Sequence, residues 1–353
     1  MAKKVLMKGN EAIAEAAIAA GCVNFFGYPI TPQTEIAEYM AKRLPKVGGL
    51  CLQAESEVAA INMLMGAAAA GTRAMTSSSS PGISLKSEGI SYIAGCDLPC
   101  LIVNVQRGGP GLGGIQPSQA DYYQATRGVG HGDMRLIVLA PSSVQEMASL
   151  TAEAFDLADT YRMPAMLLAD GALGQMMEPV DFSAFPKRET PEKTWATNGH
   201  GNKRKKNIVN SLFIDPVELE NSVIERYQRY AQVEANEVRY EEYMTDDADI
   251  VIVAFGITAR IAKSAIAEVR KAGIKVGLLR PITLWPFPKA AINSLADRTK
   301  AFMSVEMSMG QMVDDVRLAV NGKVPVHFYG RTGGMIPTVE DVAAEITKLS
   351  QSL

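Results

Sequence analysis

Residues 22–26, 49–53, 73–76 and 99–105 are short apolar runs, and between each pair lies a segment whose apolar positions recur at helical spacing. Such alternation dictates a parallel sheet, because each crossover must carry the chain back over one face of the sheet and cover it. In an open α/β sheet, ligands bind outside the carboxyl ends of the strands. Two of these ends are chemically loaded. One run opens into Gln53-Ala54-Glu55-Ser56-Glu57 and the next into Thr76-Ser77-Ser78-Ser79-Ser80-Pro81-Gly82, which places two carboxylates and a row of hydroxyls on the binding edge.

The helices read at 55–70 and 82–94 belong to this core, and a further one at 10–20 is ended by Gly21. Thr31-Pro32 is expected to cap and open the helix after the first strand, Pro being well placed at a first helical position. A Gly/Pro-rich loop spans 108–117. Strand 136–140, helix 143–160 and strand 164–169 then complete a first domain, 1–180. Residues 181–246 read as a connector: they hold Pro186, Pro191, the run Lys203-Arg204-Lys205-Lys206 and a charged helix at 217–238. From 247 the α/β pattern restarts, with strands 250–255, 275–279, 300–305 and 324–328 and a helix at 259–272, giving a smaller domain, 247–353.

With 353 residues, 47% of them apolar, the chain can fill two cores. A net charge of -3 offers no basic field, so neither nucleic acid nor an anionic membrane is expected as a partner, and the run at 203–206 reads as a solvated loop. No run approaches the about 20 apolar residues of a membrane span, and the start has no apolar segment of signal-peptide length, so a reducing cytoplasm is expected. Cys22, Cys51, Cys96 and Cys100 are too sparse for a zinc or iron-sulfur ligand set and read as buried thiols; no metal ligands are assigned. Two motifs are decoys. Gly109-Pro110-Gly111-Leu112-Gly113-Gly114 fits G-x-G-x-x-G, but Pro110 and Pro117 deny it the helix that a dinucleotide site needs. The serine run is not G-x-S-x-G, and three histidines leave few bases for a hydrolase triad.

Several motifs, in order, resemble one family. Gly27-Tyr28-Pro29-Ile30-Thr31-Pro32, Gln53-Ala54-Glu55-Ser56-Glu57, the serine run with Pro81-Gly82, Val105-Gln106-Arg107-Gly108 and Gly130-His131-Gly132-Asp133 look like landmarks of the alpha subunit of 2-oxoacid:ferredoxin oxidoreductases in its separate-chain form. The resemblance covers essentially the whole chain. It implies a thiamine-diphosphate-binding, pyrimidine-type parallel-sheet domain followed by a smaller transketolase C-terminal-like α/β domain. It implies oxidative decarboxylation of a 2-oxoacid with coenzyme A as acyl acceptor and ferredoxin as electron acceptor. Thiamine diphosphate is then shared with a beta subunit that holds the diphosphate and Mg2+, and iron-sulfur clusters sit on ferredoxin-like and gamma subunits. Within this chain, Ala169-Asp170-Gly171 with a distant Asn198 is only a partial echo of the diphosphate motif and lacks the oxygen ligands Mg2+ needs.

The resemblance assigns roles by position. Glu57 matches the carboxylate that hydrogen-bonds the pyrimidine N1' and promotes the imino tautomer; chemistry alone favours the plainer role of an acid placed by the dipole in a helix's first turn. Glu55 is expected to cap. Thr31 matches the threonine that meets the substrate's carboxylate or carbonyl oxygen, and Arg107 the arginine that pairs with the 2-oxoacid carboxylate, for which a guanidinium fork is suited; a helix cap and a structural ion pair are their alternatives. Tyr28, Pro29, Ile30, Ser79 and Ser80 would line the cofactor pocket with Ser77 and Ser78, and His131 is read as a satisfied loop residue. The serine run, the Gly-Gly-Pro-Gly after Arg107 and Leu173-Gly174-Gln175-Met176-Met177 look more like the branched-chain members, which points to 3-methyl-2-oxobutanoate. A 2-oxoglutarate enzyme would need a second cation, for which Lys86, Arg73 and Arg127 are the candidates. A noncatalytic scaffold subunit is the alternative of a different class, and the joint presence of Thr31, Glu57 and Arg107 speaks against it.

Overall fold

The computed structural model describes residues 4–185 and 188–353; Pro186 of the connector and residues 1–3 lie outside the described residues. The first sheet has seven strands in the spatial order Thr283–Trp285, Ile137–Leu139, Ala165–Asp170, Leu101–Gln106, Ala74–Ser78, Asn24–Gly27 and Leu50–Gln53. All neighbours are parallel except the first pair. Every residue of the central strands Leu101–Gln106 and Ala165–Asp170 is buried, as a sheet covered on both faces requires. Helices Gly9–Ala19, Thr34–Arg43 and Val144–Tyr161 pack together, and Glu57–Ala69 packs on Ser80–Gly95.

The crossovers set the site. From Asn24–Gly27 the chain crosses outward to Leu50–Gln53, whereas from its neighbour Ala74–Ser78 it crosses the other way to Leu101–Gln106. The two following helices therefore leave on opposite faces, and a crevice opens between the two carboxyl ends. Such a topological switch point is where open α/β sheets bind ligands.

The second sheet runs Val326–Gly330, Ala301–Glu306, Ile250–Val253, Val276–Pro281 and Tyr240–Tyr243, parallel except for the last strand. Two connections were not anticipated. Thr283–Trp285 leaves the second sheet's region to close the far edge of the first, and Val5–Lys8 pairs antiparallel with Met177–Val180 in a separate two-stranded ribbon. The connector carries the helix Pro216–Asn236, capped by Asp215. The two sheets are joined by buried polar contacts: Gln119 donates to the Phe255 carbonyl at 2.7 Å and accepts from the Met307 amide at 3.1 Å.

Candidate active site

Helix Glu57–Ala69 starts where strand Leu50–Gln53 meets the edge. Its cap is Ser56, extended at φ -160° and ψ 166°, whose hydroxyl accepts from the Ala59 amide at 3.1 Å. Glu55 is exposed and does not cap, which corrects the expectation from sequence; only the residue directly before the helix has the geometry to reach the free amides. Glu57 follows the cap and is buried, 6% exposed, yet its carboxylate takes part in no hydrogen bond or ion pair among the described residues. The room around it depends on Gly82 of the facing helix. A Cβ there would stand 2.1 Å from Ser78 Oγ and 2.9 Å from Glu57 Oε1.

The hydroxyl row divides by the pleat of its strand. Ser77 faces one way and donates to Gln33 Oε1 at 2.5 Å; Gln33 in turn donates to the Tyr28 carbonyl at 3.1 Å, which fastens the 28–33 turn to the sheet. Ser78 and Thr76 face the other way, toward the helices that carry Gly82 and Glu57, and their hydroxyls are buried without partners, as is that of Ser79. Ser79 holds the cap position of helix Ser80–Gly95 but makes no capping bond, so its oxygen stays free. Ser80 is structural: Oγ donates to Asp121 at 2.6 Å and accepts from the Arg107 amide at 3.0 Å. Asp121 also accepts from Asn104 at 2.9 Å, and burial raises its carboxyl above the usual range against these two bonds.

Arg107 ends strand Leu101–Gln106 and is 7% exposed. Its Nη1 donates to the Thr31 carbonyl and its Nη2 to the Leu112 carbonyl, each at 3.0 Å, while Nε has no partner. No carboxylate pairs with it among the described residues, so the structural ion pair is excluded. A buried guanidinium without a counter-ion is costly and fits a site that receives an anion. Thr31 is exposed and joined to Pro32 by a cis peptide bond; the helix begins only at Thr34, after Gln33. Thr31 is therefore not a helix cap. Asn10, buried on the first helix, supports this turn by donating to the Pro32 carbonyl at 2.8 Å. Tyr28 and Ile30 are half-buried beside it, and Pro29 is exposed.

The other candidates lie elsewhere. The His131 amide and carbonyl bond Ser91, eleven residues beyond Ser80 along the helix and so about 16 Å from the edge. Arg73 pairs with Asp156 at 2.6 Å and Asp159 at 2.8 Å, and Arg127 with Asp315 at 2.6 Å. Asp170 caps helix Gly171–Gln175, accepting from Ala172 and Leu173, and burial lifts its carboxyl to about 6. No helix opens within 109–114. A cleft of about 600 Å³ against Trp285 and Phe287 lies on the far strand of the sheet, four strands from Ala74–Ser78.

Three residues that sequence reasoning missed, Gln33, Asn10 and Asp121, hold this edge together. None belongs to a motif, and only their hydrogen bonds in the fold identify them. Lys86 is, from sequence, a candidate cation for the distal carboxylate of 2-oxoglutarate. It is fully buried, with its Nζ 3.4 Å from the Ser77 carbonyl.

The first sheet thus brings an unpartnered acid and an unpaired arginine to its switch point and is followed by a second, mostly parallel sheet, and the family that this chain matches is one of thiamine-diphosphate enzymes. Residues 15–250 match the model described as pyruvate flavodoxin/ferredoxin oxidoreductase, thiamine diP-binding, and residues 248–342 match pyruvate:ferredoxin oxidoreductase core domain II. The chain belongs to this 2-oxoacid:ferredoxin oxidoreductase family and is an oxidoreductase subunit of it. It is 52% identical to the ketoisovalerate oxidoreductase subunit VorB of Methanothermobacter marburgensis, over 98% of this chain and 97% of that one. It is 35% identical to the 2-oxoglutarate synthase subunit KorA of Methanothermobacter thermautotrophicus, over 99% and 100%. Among solved structures, the 2-oxoglutarate:ferredoxin oxidoreductase from Magnetococcus marinus, with 2-oxoglutarate, coenzyme A and succinyl-CoA bound, superposes with a TM-score of 0.89 at 28% identity, over 99% of this chain and 66% of that one. A split-gene transketolase shares the fold, with a TM-score of 0.61 at 14% identity. No described helix is long and apolar enough to cross a membrane.

Proposed function

We propose that this chain is the alpha subunit of a branched-chain 2-oxoacid:ferredoxin oxidoreductase, acting on 3-methyl-2-oxobutanoate with coenzyme A and ferredoxin. The observation that carries the reading is Arg107: buried, bonded only to carbonyls, with Nε free, and held beside Thr31 at the switch point. In this role Arg107 receives the 2-oxoacid carboxylate, and the exposed Thr31 hydroxyl meets an oxygen of the same substrate. The residues present fit thiamine diphosphate. Glu57 offers a carboxylate free of protein partners, Gly82 leaves it space, and Ser78 and Ser79 offer unpaired hydroxyls. Glu57 would hold the pyrimidine N1' and exchange a proton there, with Tyr28, Pro29 and Ile30 walling the ring. Bound at this edge, the cofactor supplies the carbanion chemistry that allows a 2-oxoacid to lose carbon dioxide.

The diphosphate and Mg2+ would be held by a beta subunit, and the iron-sulfur clusters by gamma and ferredoxin-like subunits. The choice of an apolar substrate is supported twice. The branched-chain relative is the more similar of the two kinds, and Arg73 and Arg127, two of the three cations considered for a distal carboxylate, are already neutralised by acids away from the edge. A panel of 2-oxoacids, with coenzyme A and a viologen dye, on the copurified complex tests the reading. The expected result is the highest kcat/KM for 3-methyl-2-oxobutanoate; a preference for 2-oxoglutarate overturns the substrate, and normal decarboxylation by Glu57→Ala overturns the chemistry and favours a scaffold.

A further inference from the structure

Helices Glu57–Ala69 and Ser80–Gly95 touch through glycines. A Cβ on Gly82 would lie 2.9 Å from Glu57 Oε1, and one on Gly89 would lie 2.5 Å from Ile61 Cγ2, two turns further along. Lys86 is placed between these two contacts, one turn from Gly82 and on the same stripe of the helix. It is 0% exposed, which is rare for lysine, and its one hydrogen bond is the long one to the Ser77 carbonyl. An ammonium has three protons to donate, so this environment leaves it poorly satisfied. The charged group that acts on it is Glu57, across the helix pair. The strand beneath offers the Ser77 carbonyl and the neutral hydroxyls of Thr76 and Ser78 but no charge, and Glu88 on its own helix is exposed and bonded to Tyr92.

We propose that Lys86 is a positioning residue for Glu57, its buried cation supplying the charge that holds the Glu57 carboxylate in place for the cofactor's ring nitrogen. The inference rests on the reading of Glu57 given above. Both groups are buried, and a facing carboxylate is what a buried ammonium requires. Burial pushes the Lys86 ammonium down to about 8, with Glu57 opposing, so its charge is lost within an accessible pH range. The switch is then visible in binding.

The test is the affinity of the cofactor-free copurified complex for thiamine diphosphate with Mg2+, titrated between pH 6.5 and 9.5. Wild type is expected to lose about tenfold in affinity through pH 8. Lys86→Met, close in size and apolar, is expected to bind about tenfold more weakly at pH 7 and to show no alkaline limb, and Lys86→Arg is expected to bind well at pH 9.5. In the double variant with Glu57→Gln, the Lys86 change is expected to add nothing. If Lys86→Met binds as wild type does while Glu57→Gln is impaired, the role of Lys86 is overturned and that of Glu57 stands. If Glu57→Gln itself binds as wild type does, the Glu57 reading falls instead. An additive double variant also overturns the inference, because Lys86 would then act without Glu57.

Discussion

Replacing Lys86 by Met should stabilise the folded chain. The ammonium is moved from its ordinary 10.5 down to about 8 by burial, a difference of roughly 2.5 pH units, and each unit corresponds to about 1.36 kcal/mol. The charged form therefore costs the native state on the order of 3 kcal/mol at neutral pH. Because the folded value is depressed, the unfolded chain binds a proton that the native chain has released between pH 8 and 10.5. Wild-type stability must rise with pH in that window, and the advantage of Lys86→Met, greatest below pH 8, must shrink toward zero by pH 10.5. Urea unfolding of the full chain at pH 7, 8, 9 and 10, monitored by circular dichroism, measures this. The reasoning is refuted if the variant is no more stable than wild type at pH 7, or if a difference persists unchanged to pH 10. Together with the expected loss of cofactor affinity, a gain in stability would mark Lys86 as a group retained for function at the expense of the fold.

Arg107→Lys should raise the KM for the 2-oxoacid at least tenfold, since a point charge replaces a fork and the ties to Thr31 and Leu112 go with it; steady-state kinetics on the complex decides this. Gly82→Ala should cost about 1–3 kcal/mol in chemical denaturation and remove most of the activity, because its methyl group must displace Ser78 or Glu57. Gln119→Ala strips partners from the Phe255 carbonyl and the Met307 amide between the two sheets, and should lower stability by about 2–3 kcal/mol while leaving the KM for the 2-oxoacid unchanged.

The alternation of apolar runs was legible because the central strands are buried on both faces and are mostly apolar, with Asn104, Gln106 and Asp170 confined to their carboxyl-terminal halves. Strand Thr283–Trp285 was not legible, because what pairs it with Ile137–Leu139 is a long-range return, not a local pattern. Tyr240–Tyr243 hides for another reason: it is an antiparallel edge strand, Tyr-Glu-Glu-Tyr, whose polar residues resemble the connector before it. At the site, Glu57 and Arg107 were singled out by residue type and position, and the fold leaves both buried without a charged hydrogen-bond partner among the described residues. Thr31 misled, since Thr-Pro is a good local start for a helix, but the turn is fixed by Asn10 from a distant helix and the helix begins three residues later. Glu55 misled by sharing a turn with Ser56, which took the cap.

The distinction between structural and functional polar groups can be drawn from how well each is satisfied. Glu306 is fully buried, yet it accepts from the Ser304 and Ser308 hydroxyls and from the Gln311, Met312 and Val313 amides. Its charge is dispersed into five donors at a helix start, which accounts for its burial by structure alone. Asp170 and Ser80 are satisfied in the same manner. The switch point is the reverse case. Thr76, Ser78 and Ser79 lack partners, Arg107 has a bare Nε and no acid, and Glu57 and Lys86 are buried with little else to bond. Each unsatisfied buried group costs about 1–3 kcal/mol, so such a concentration persists only where something outside the chain completes it. The two carboxylates at the start of helix Glu57–Ala69 therefore separate by environment: Glu55 is solvated, and Glu57 is buried among polar groups that the described residues leave incompletely paired, which is the environment the proposed cofactor role requires.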